Sequence, residues 1–347
     1  MARATQSQSS RRKKPSMYDV AQAAGVSQTA VSLVVNDVPS ANIPQATRDR
    51  IWAAVHDLGW RPNALAVGLS RRRSQTLGLI TDEIATSAHG GKIIQGIQDA
   101  AWAHGKMLLL SNTNAKPDLE RAALSMMLER QVEAVFYAAM YHRPVTPPAE
   151  LSTVPAVLVD CYAPDQSLPS VVPDEVQASR AATDLLLRKG HRRIGFINTL
   201  DATPAARGRL AGYEEALANY GIVSDPTLIR RGRSRFAPEG YRCMRELLEL
   251  PDRPTGVFCF NDSVAMGAYE AVKQLGLSIP NDVAIVGFDN HELIAAELSP
   301  PLTTMELPHY AMGQWAVEYL LAEPGPVSTT APVQHKIECP LILRASA

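Results

Sequence analysis

The chain has 347 residues, 46% of them hydrophobic and 20% charged, with a formal net charge of −1; at roughly 100–200 residues per domain, that length suits two or three domains. No apolar run reaches the roughly 18 residues of a membrane span, and the Ser/Gln/Arg/Lys-rich stretch 1–15 lacks the apolar segment of a secretory signal. Four cysteines (Cys161, Cys243, Cys259, Cys339) are scattered without C-x-x-C spacing, so neither a metal site nor a disulfide framework is expected, no cofactor is implied, and a reducing cytoplasmic location is expected.

Charge is uneven along the chain. Residues 1–73 hold 11 Lys/Arg against 4 Asp/Glu, a net of +7, whereas 74–347 hold 23 against 31, a net of −8. A basic head on an acidic body points to a polyanion as the partner of the head. Stretch 1–15, with Arg11-Arg12-Lys13-Lys14, reads as a disordered basic tail.

Residues 16–61 read as three short helices. Met17, Val20, Ala21 and Ala24 fall at i, i+3, i+4 and i+7 on one helix face, and Gly25 ends that helix. Ser27 is placed to cap a second helix over 28–36. Val31, Val34 and Val35 form its inner face; Gln28, Thr29, Ser32 and Asn36 look outward. A third helix opens near Pro44 and buries Ile51, Ala54, Val55 and Leu58. Two short helices joined by a tight Gly turn, followed by a third, make a helix-turn-helix. A neutral, hydrogen-bonding outer face suits a helix lying in the DNA major groove.

The sequence words are more specific than the periodicity. Tyr18-Asp19-Val20-Ala21, Ala24-Gly25-Val26-Ser27, Ala30-Val31-Ser32, Val34-Val35-Asn36 and Arg61-Pro62-Asn63-Ala64-Leu65-Ala66 resemble the headpiece of the lactose-repressor (LacI/GalR) family of bacterial regulators. The resemblance extends over essentially the whole chain. It implies that Gln28 and Thr29 read bases and that Leu33, one turn later, is a third reader limited to apolar contact. Tyr18, Ser27, Ser32, Asn36 and Asn63 complete the expected DNA-contacting set. Residues 62–74 are then a hinge, too short to be a stable isolated helix and expected to become helical on DNA. The resemblance places Leu69 as a wedge between base pairs, with Ala66 against the minor-groove floor.

From residue 75 onward short apolar runs alternate with helical stretches. Strands are predicted at 77–81, 107–111, 134–138, 156–160, 194–197, 256–260 and 283–288, with helices at 92–104, 120–130, 176–189, 210–220 and 264–275. This alternation predicts parallel sheets covered by helices. The expected fold class is α/β with an all-α headpiece: a helix-turn-helix domain plus a two-lobed core that, as the family resemblance implies, is similar to periplasmic binding proteins. Crossings between lobes are expected near Pro173, Pro301-Leu302-Thr303 and Pro332. That gives lobe 1 as about 75–173 and 302–332, and lobe 2 as about 174–301 and 333–347, with a helix near 308–321 in lobe 1 and a last strand near 336–343 in lobe 2.

Ligands of open α/β sheets bind beyond the carboxyl ends of the strands. Asp82, Asp160, Asn261, Asp262 and Asp289 stand there; such residues also cap following helices, and Asp262 is the best cap candidate. The family resemblance implies that Asp160, Arg209, Asn261 and Asp289 line an effector cleft and that Phe236 covers one face of the ligand. His89 stands where many members carry an aromatic residue; it either replaces that ring or is an exposed loop residue. Carboxylates, an amide and a guanidinium favour a carbohydrate, with a purine or nucleoside as the alternative. No nucleotide-binding, hydrolase or zinc-protease motif is present, so an enzyme is not expected. The expected partners are a double-stranded DNA operator, a small-molecule effector and a second copy of the chain in a homodimer, with no membrane.

Overall fold

The computed structural model describes residues 15–36, 38, 41–61, 74–86, 90–322 and 333–347. Asn63, Ala66, Leu69 and His89 lie outside the described residues. The chain divides into two compact units, Met1–Ser74 and Gln75–Ala347.

The first unit is built on α1 (Met17–Ala24), α2 (Gln28–Val35) and α3 (Gln45–Leu58). Ser16 and Asp19 form a reciprocal capping box at the start of α1, and Gly25 ends it at φ 65, a left-handed conformation that glycine adopts without steric cost. Val20, Ala21, Ala24, Val31, Val34, Ile51, Ala54 and Trp60 form one buried cluster. Val55 only packs against its edge, and Leu58, expected inside, is 36% exposed. Trp60 closes the core there: its backbone N–H bonds back to the Val55 carbonyl, past the left-handed Gly59.

The second unit has two six-stranded sheets. The first contains β1 (Thr76–Thr81), β2 (Met107–Asn112), β3 (Val135–Pro144), β4 (Ala156–Tyr162), β5 (Ser170–Pro173) and β11 (Gln334–Ile337), in the order β11-β5-β4-β3-β1-β2. The second contains β6 (Ile194–Thr199), β7 (Ile229–Gly232), β8 (Gly256–Cys259), β9 (Ala284–Asp289), β10 (Thr303–Glu306) and β12 (Leu341–Ile342), in the order β12-β10-β9-β8-β6-β7. All pairings are parallel except β10 with β12. Each sheet therefore has a topological switch point, between β1 and β3 and between β6 and β8, where a crevice opens beyond the strand ends. The helices are α4 (Gly91–Ala103), α5 (Pro117–Glu129), α6 (Glu175–Arg188), α7 (Pro204–Asn219), α8 (Ala237–Leu248), α9 (Asp262–Gln274) and α10 (His309–Leu321).

Two lobe crossings differ from expectation. The second falls after β10, because Thr303, Thr304 and Met305 are buried and pair in register with β9; the flanking prolines disguise this four-residue strand as a linker. The third falls between β11 and β12. The strand expected over 336–343 is broken around Pro340, so that 334–337 joins the first sheet and only 341–342 the second. The sequence pattern does not predict helix α8 either. Pro238 and Gly240 look like breakers, but the proline lies in the first turn, where it displaces no hydrogen bond.

Gly240 and Gly267 mark where α8 and α9 touch backbone to backbone. A Cβ on Gly267 would overlap the Ala237 carbonyl, and one on Gly240 the Val264 carbonyl. Gly267→Ala is therefore expected to force these helices apart and cost about 1–3 kcal/mol of stability. Urea unfolding of the variant checks this; an unchanged midpoint and slope would show that the contact relaxes freely.

Candidate DNA interface and ligand cleft

The Ser27 hydroxyl accepts the Ala30 N–H at 3.2 Å and so fixes the start of α2. Gln28 and Thr29, at the first two positions, are exposed, as are Tyr18 and Ser27. Ser32, Leu33 and Asn36 are half-buried, and the Asn36 side-chain amide donates to the Ser32 hydroxyl at 3.2 Å. Of the expected base readers, Gln28 and Thr29 therefore present open side chains at the amino end of one helix.

In the core, Met140, Tyr141, His142 and Asp160 from the first lobe face Glu175, Thr203, Ala205, Arg209, Arg235, Phe260, Asn261 and Asp289 from the second across one cavity. Its empty space, open solvent included, is about 520 Å³. Asp160, Arg209, Asn261 and Asp289, predicted from sequence, are brought together here.

Arg209 occupies the floor. Its Nε donates to Glu175 Oε2 at 2.8 Å, Nη1 donates to the Phe260 carbonyl, and Nη2 lies 3.9 Å from Asp289 Oδ1. Its guanidinium carbon lies 3.5 Å from the ring centroid of Phe288 and 4.5 Å from that of Phe260. Glu175 had no sequence signal of its own, since it reads as an ordinary first-turn acid of α6; the need of a buried Arg for a carboxylate is the clue that finds it. Burial works to raise the Glu175 pKa, but Arg209 and His142 outweigh it and hold it below the usual range. His142 Nδ1 is 3.8 Å from Glu175 Oε1, across the cleft from the other lobe.

Asp160 sits at φ 56 and is 3% exposed. Its Oδ2 is 3.7 Å from His309 Nε2, whereas Oδ1 has no hydrogen-bond partner. Burial raises its pKa, and His309 and His142 oppose this only in part. Asp289, also at positive φ (107), has its pKa raised by burial, against the pull of Arg209 and with help from the nearby Asp262 charge.

Three sequence readings change here. Asn261, not Asp262, caps α9, accepting the Val264 N–H at 2.8 Å. Asp262 lies one residue into the helix, fully buried, and accepts from Thr304 Oγ1 (2.6 Å) and the His291 N–H (2.7 Å). Phe236 is the residue before α8, 62% exposed and outside the cavity lining. Its neighbour Arg235 faces the cavity instead, stacked 4.3 Å over the ring of Tyr141 from the opposite lobe. Asp82 is structural: it accepts from the Met140 N–H at 3.0 Å and from Arg143 at 2.8 Å.

A helix-turn-helix unit followed by two lobes closing on a polar cavity defines a ligand-responsive DNA-binding regulator. Residues 16–63 match the bacterial regulatory proteins of the lacI family, and 183–347 match the periplasmic binding protein-like domain. The chain is 32% identical over 331 residues to the HTH-type transcriptional repressor CytR of Escherichia coli (strain K12), covering 95% of each. Among solved structures, it resembles the lac repressor dimer bound to operator and the anti-inducer ONPF (TM-score 0.77, 26% identity, 96% of this chain and 99% of that one). It also resembles a transcriptional regulator CelR–cellobiose complex (TM-score 0.61, 28% identity, 96% and 100%). The chain belongs to the LacI family and is a DNA-binding transcriptional regulator. No helix among the described residues is long and apolar enough to cross a membrane.

Proposed function

We propose that this regulator is a cytoplasmic repressor that binds a palindromic operator as a homodimer and responds to a carbohydrate held between its lobes. The observation that carries the reading is the occurrence, in one chain, of the exposed Gln28–Thr29 pair at the start of α2 and a buried polar cavity at the switch points of two sheets. The cellobiose complex of a structural relative supports a sugar as the ligand class. A second copy of the chain has an obvious seat. β2 is an edge strand with Met107 60% and Leu110 36% exposed, and Trp102 on the adjoining α4 is 71% exposed. An open, apolar sheet edge is a pairing surface unless it is covered. Effector binding shifts the lobe angle; a coupling of about 1–3 kcal/mol would change operator affinity by roughly 5–150-fold.

Gln28→Ala tests the DNA reading. Selection of a preferred duplex followed by fluorescence anisotropy is expected to show specific affinity falling by about 1–3 kcal/mol, with non-specific binding nearly unchanged. If specific and non-specific affinities fell together, Gln28 would not read bases.

A further inference from the structure

On the reading that the cavity between the lobes holds the effector, its two guanidinium groups play different parts. Arg209 is engaged within the protein, with Glu175 on Nε, the Phe260 carbonyl on Nη1 and Asp289 near Nη2. Arg235 is not. Its guanidinium carbon lies 4.3 Å from the ring centroid of Tyr141 in the opposite lobe. The acidic side chain beside it, Asp201, stands 3.7 Å away, beyond hydrogen-bond reach, and is 53% exposed to water. Among the described residues, no acceptor takes an N–H of this half-buried guanidinium. Such a fork matches a carboxylate or phosphate through two parallel hydrogen bonds. Stacking on Tyr141 holds it in place without using those donors.

The surroundings permit an anion there. Thr203 and Ala205, at the amino end of the 16-residue α7, line the same cavity. Thr203 caps the helix by accepting the Ala206 N–H at 3.2 Å, leaving its own O–H to donate, and the Ala205 N–H has no acceptor within the helix. The positive end of a helix dipole favours negative charge. The carboxylates in the cavity wall oppose an anion less than their number suggests. Glu175 is paired with Arg209, and burial pushes Asp160 and Asp289 towards their neutral forms.

We infer that Arg235 sets the charge of the effector: its guanidinium receives a carboxylate or phosphate, and the ligand is a sugar acid or sugar phosphate rather than a neutral sugar.

The test is thermal unfolding of the full chain, wild type and Arg235→Gln, with matched ligands at equal concentration: glucose, glucuronate and glucose 6-phosphate; galactose, galacturonate and galactose 1-phosphate; adenosine and adenosine 5′-monophosphate. One anionic sugar is expected to bind about tenfold or more tighter than its neutral parent; whether uronate or phosphate leads names the anion. Arg235→Gln is expected to remove that advantage while changing the neutral parent less than about threefold, and Arg235→Lys to keep part of it. The unliganded transition of each variant reports its folding. A neutral sugar that binds as tightly as its anionic partners overturns the inference and leaves the carbohydrate reading standing. Equal loss of neutral and anionic ligands in Arg235→Gln overturns it too, since Arg235 would then act by packing. Absence of binding by every anionic member does the same. Binding of the nucleotide alone, lost in Arg235→Gln, would sink the carbohydrate reading while keeping the anion on Arg235.

Discussion

Replacing Arg209 with alanine is expected to destabilise the core by about 3–5 kcal/mol, because it leaves a buried carboxylate without its cation. Glu175 and Arg209 are each about 4% exposed at the side chain and joined at 2.8 Å. The same change removes the donor to the Phe260 carbonyl and the cation between Phe260 and Phe288. Chemical unfolding near neutral pH checks the magnitude; a loss under about 1 kcal/mol would mean that Glu175 finds water or another donor. The pH dependence gives a second readout. The folded pKa of Glu175 lies below its unfolded value, so its ionised form contributes stability above roughly pH 4.3, the unfolded reference, and that contribution is lost as pH falls through the folded pKa. In the variant the unpaired carboxylate resists ionisation. The gap between wild type and variant is therefore expected to be largest near neutrality and to narrow in acid. Effector response should disappear with the pair, whereas headpiece folding should not change.

Ile51→Ala is expected to remove operator binding altogether. Ile51 is fully buried at the centre of the cluster that joins the three headpiece helices. Truncating a buried Ile costs about 2–5 kcal/mol, and a unit this small has little stability to lose. Circular dichroism and anisotropy with the selected duplex would show a headpiece largely unfolded at working temperature. The unfolding transition of the second compact unit, 75–347, should stay where it was. Operator affinity within about twofold of wild type would show that the headpiece core tolerates the cavity.

Much of this was legible in sequence. Gly25 and Ser27 place the turn and cap of the headpiece through local physics alone: a left-handed φ at one, a hydroxyl within reach of an N–H three residues on at the other. Seven of the eight strands expected in the core are present, since parallel strands read as short apolar runs; the last, expected over 336–343, is split between the two sheets. The floor of the cleft was partly legible too, because Asp160, Asn261 and Asp289 stand at strand ends, where the rule for open sheets puts ligand contacts.

What local pattern could not supply is partnership. Nothing in the neighbourhood of Glu175 says that it meets Arg209, 34 residues away, or that His142 approaches it from the other lobe. Whether Asn261 or Asp262 capped α9 depended on Thr304 and the His291 N–H, which claim Asp262 from a distant strand and loop. The four-residue strands β10 and β11 earn their assignment only from the neighbours they pair with, β9 and β5. By itself, then, the sequence determined the helix-turn-helix, the alternating α/β core and the family, because caps, turns and periodicity act over a few residues. The tertiary structure alone decided where the second and third crossings between lobes fall, that Arg235 rather than Phe236 faces the cavity, and that Arg209 is held by Glu175. Those depend on which surfaces the folded chain brings within a few ångströms of one another.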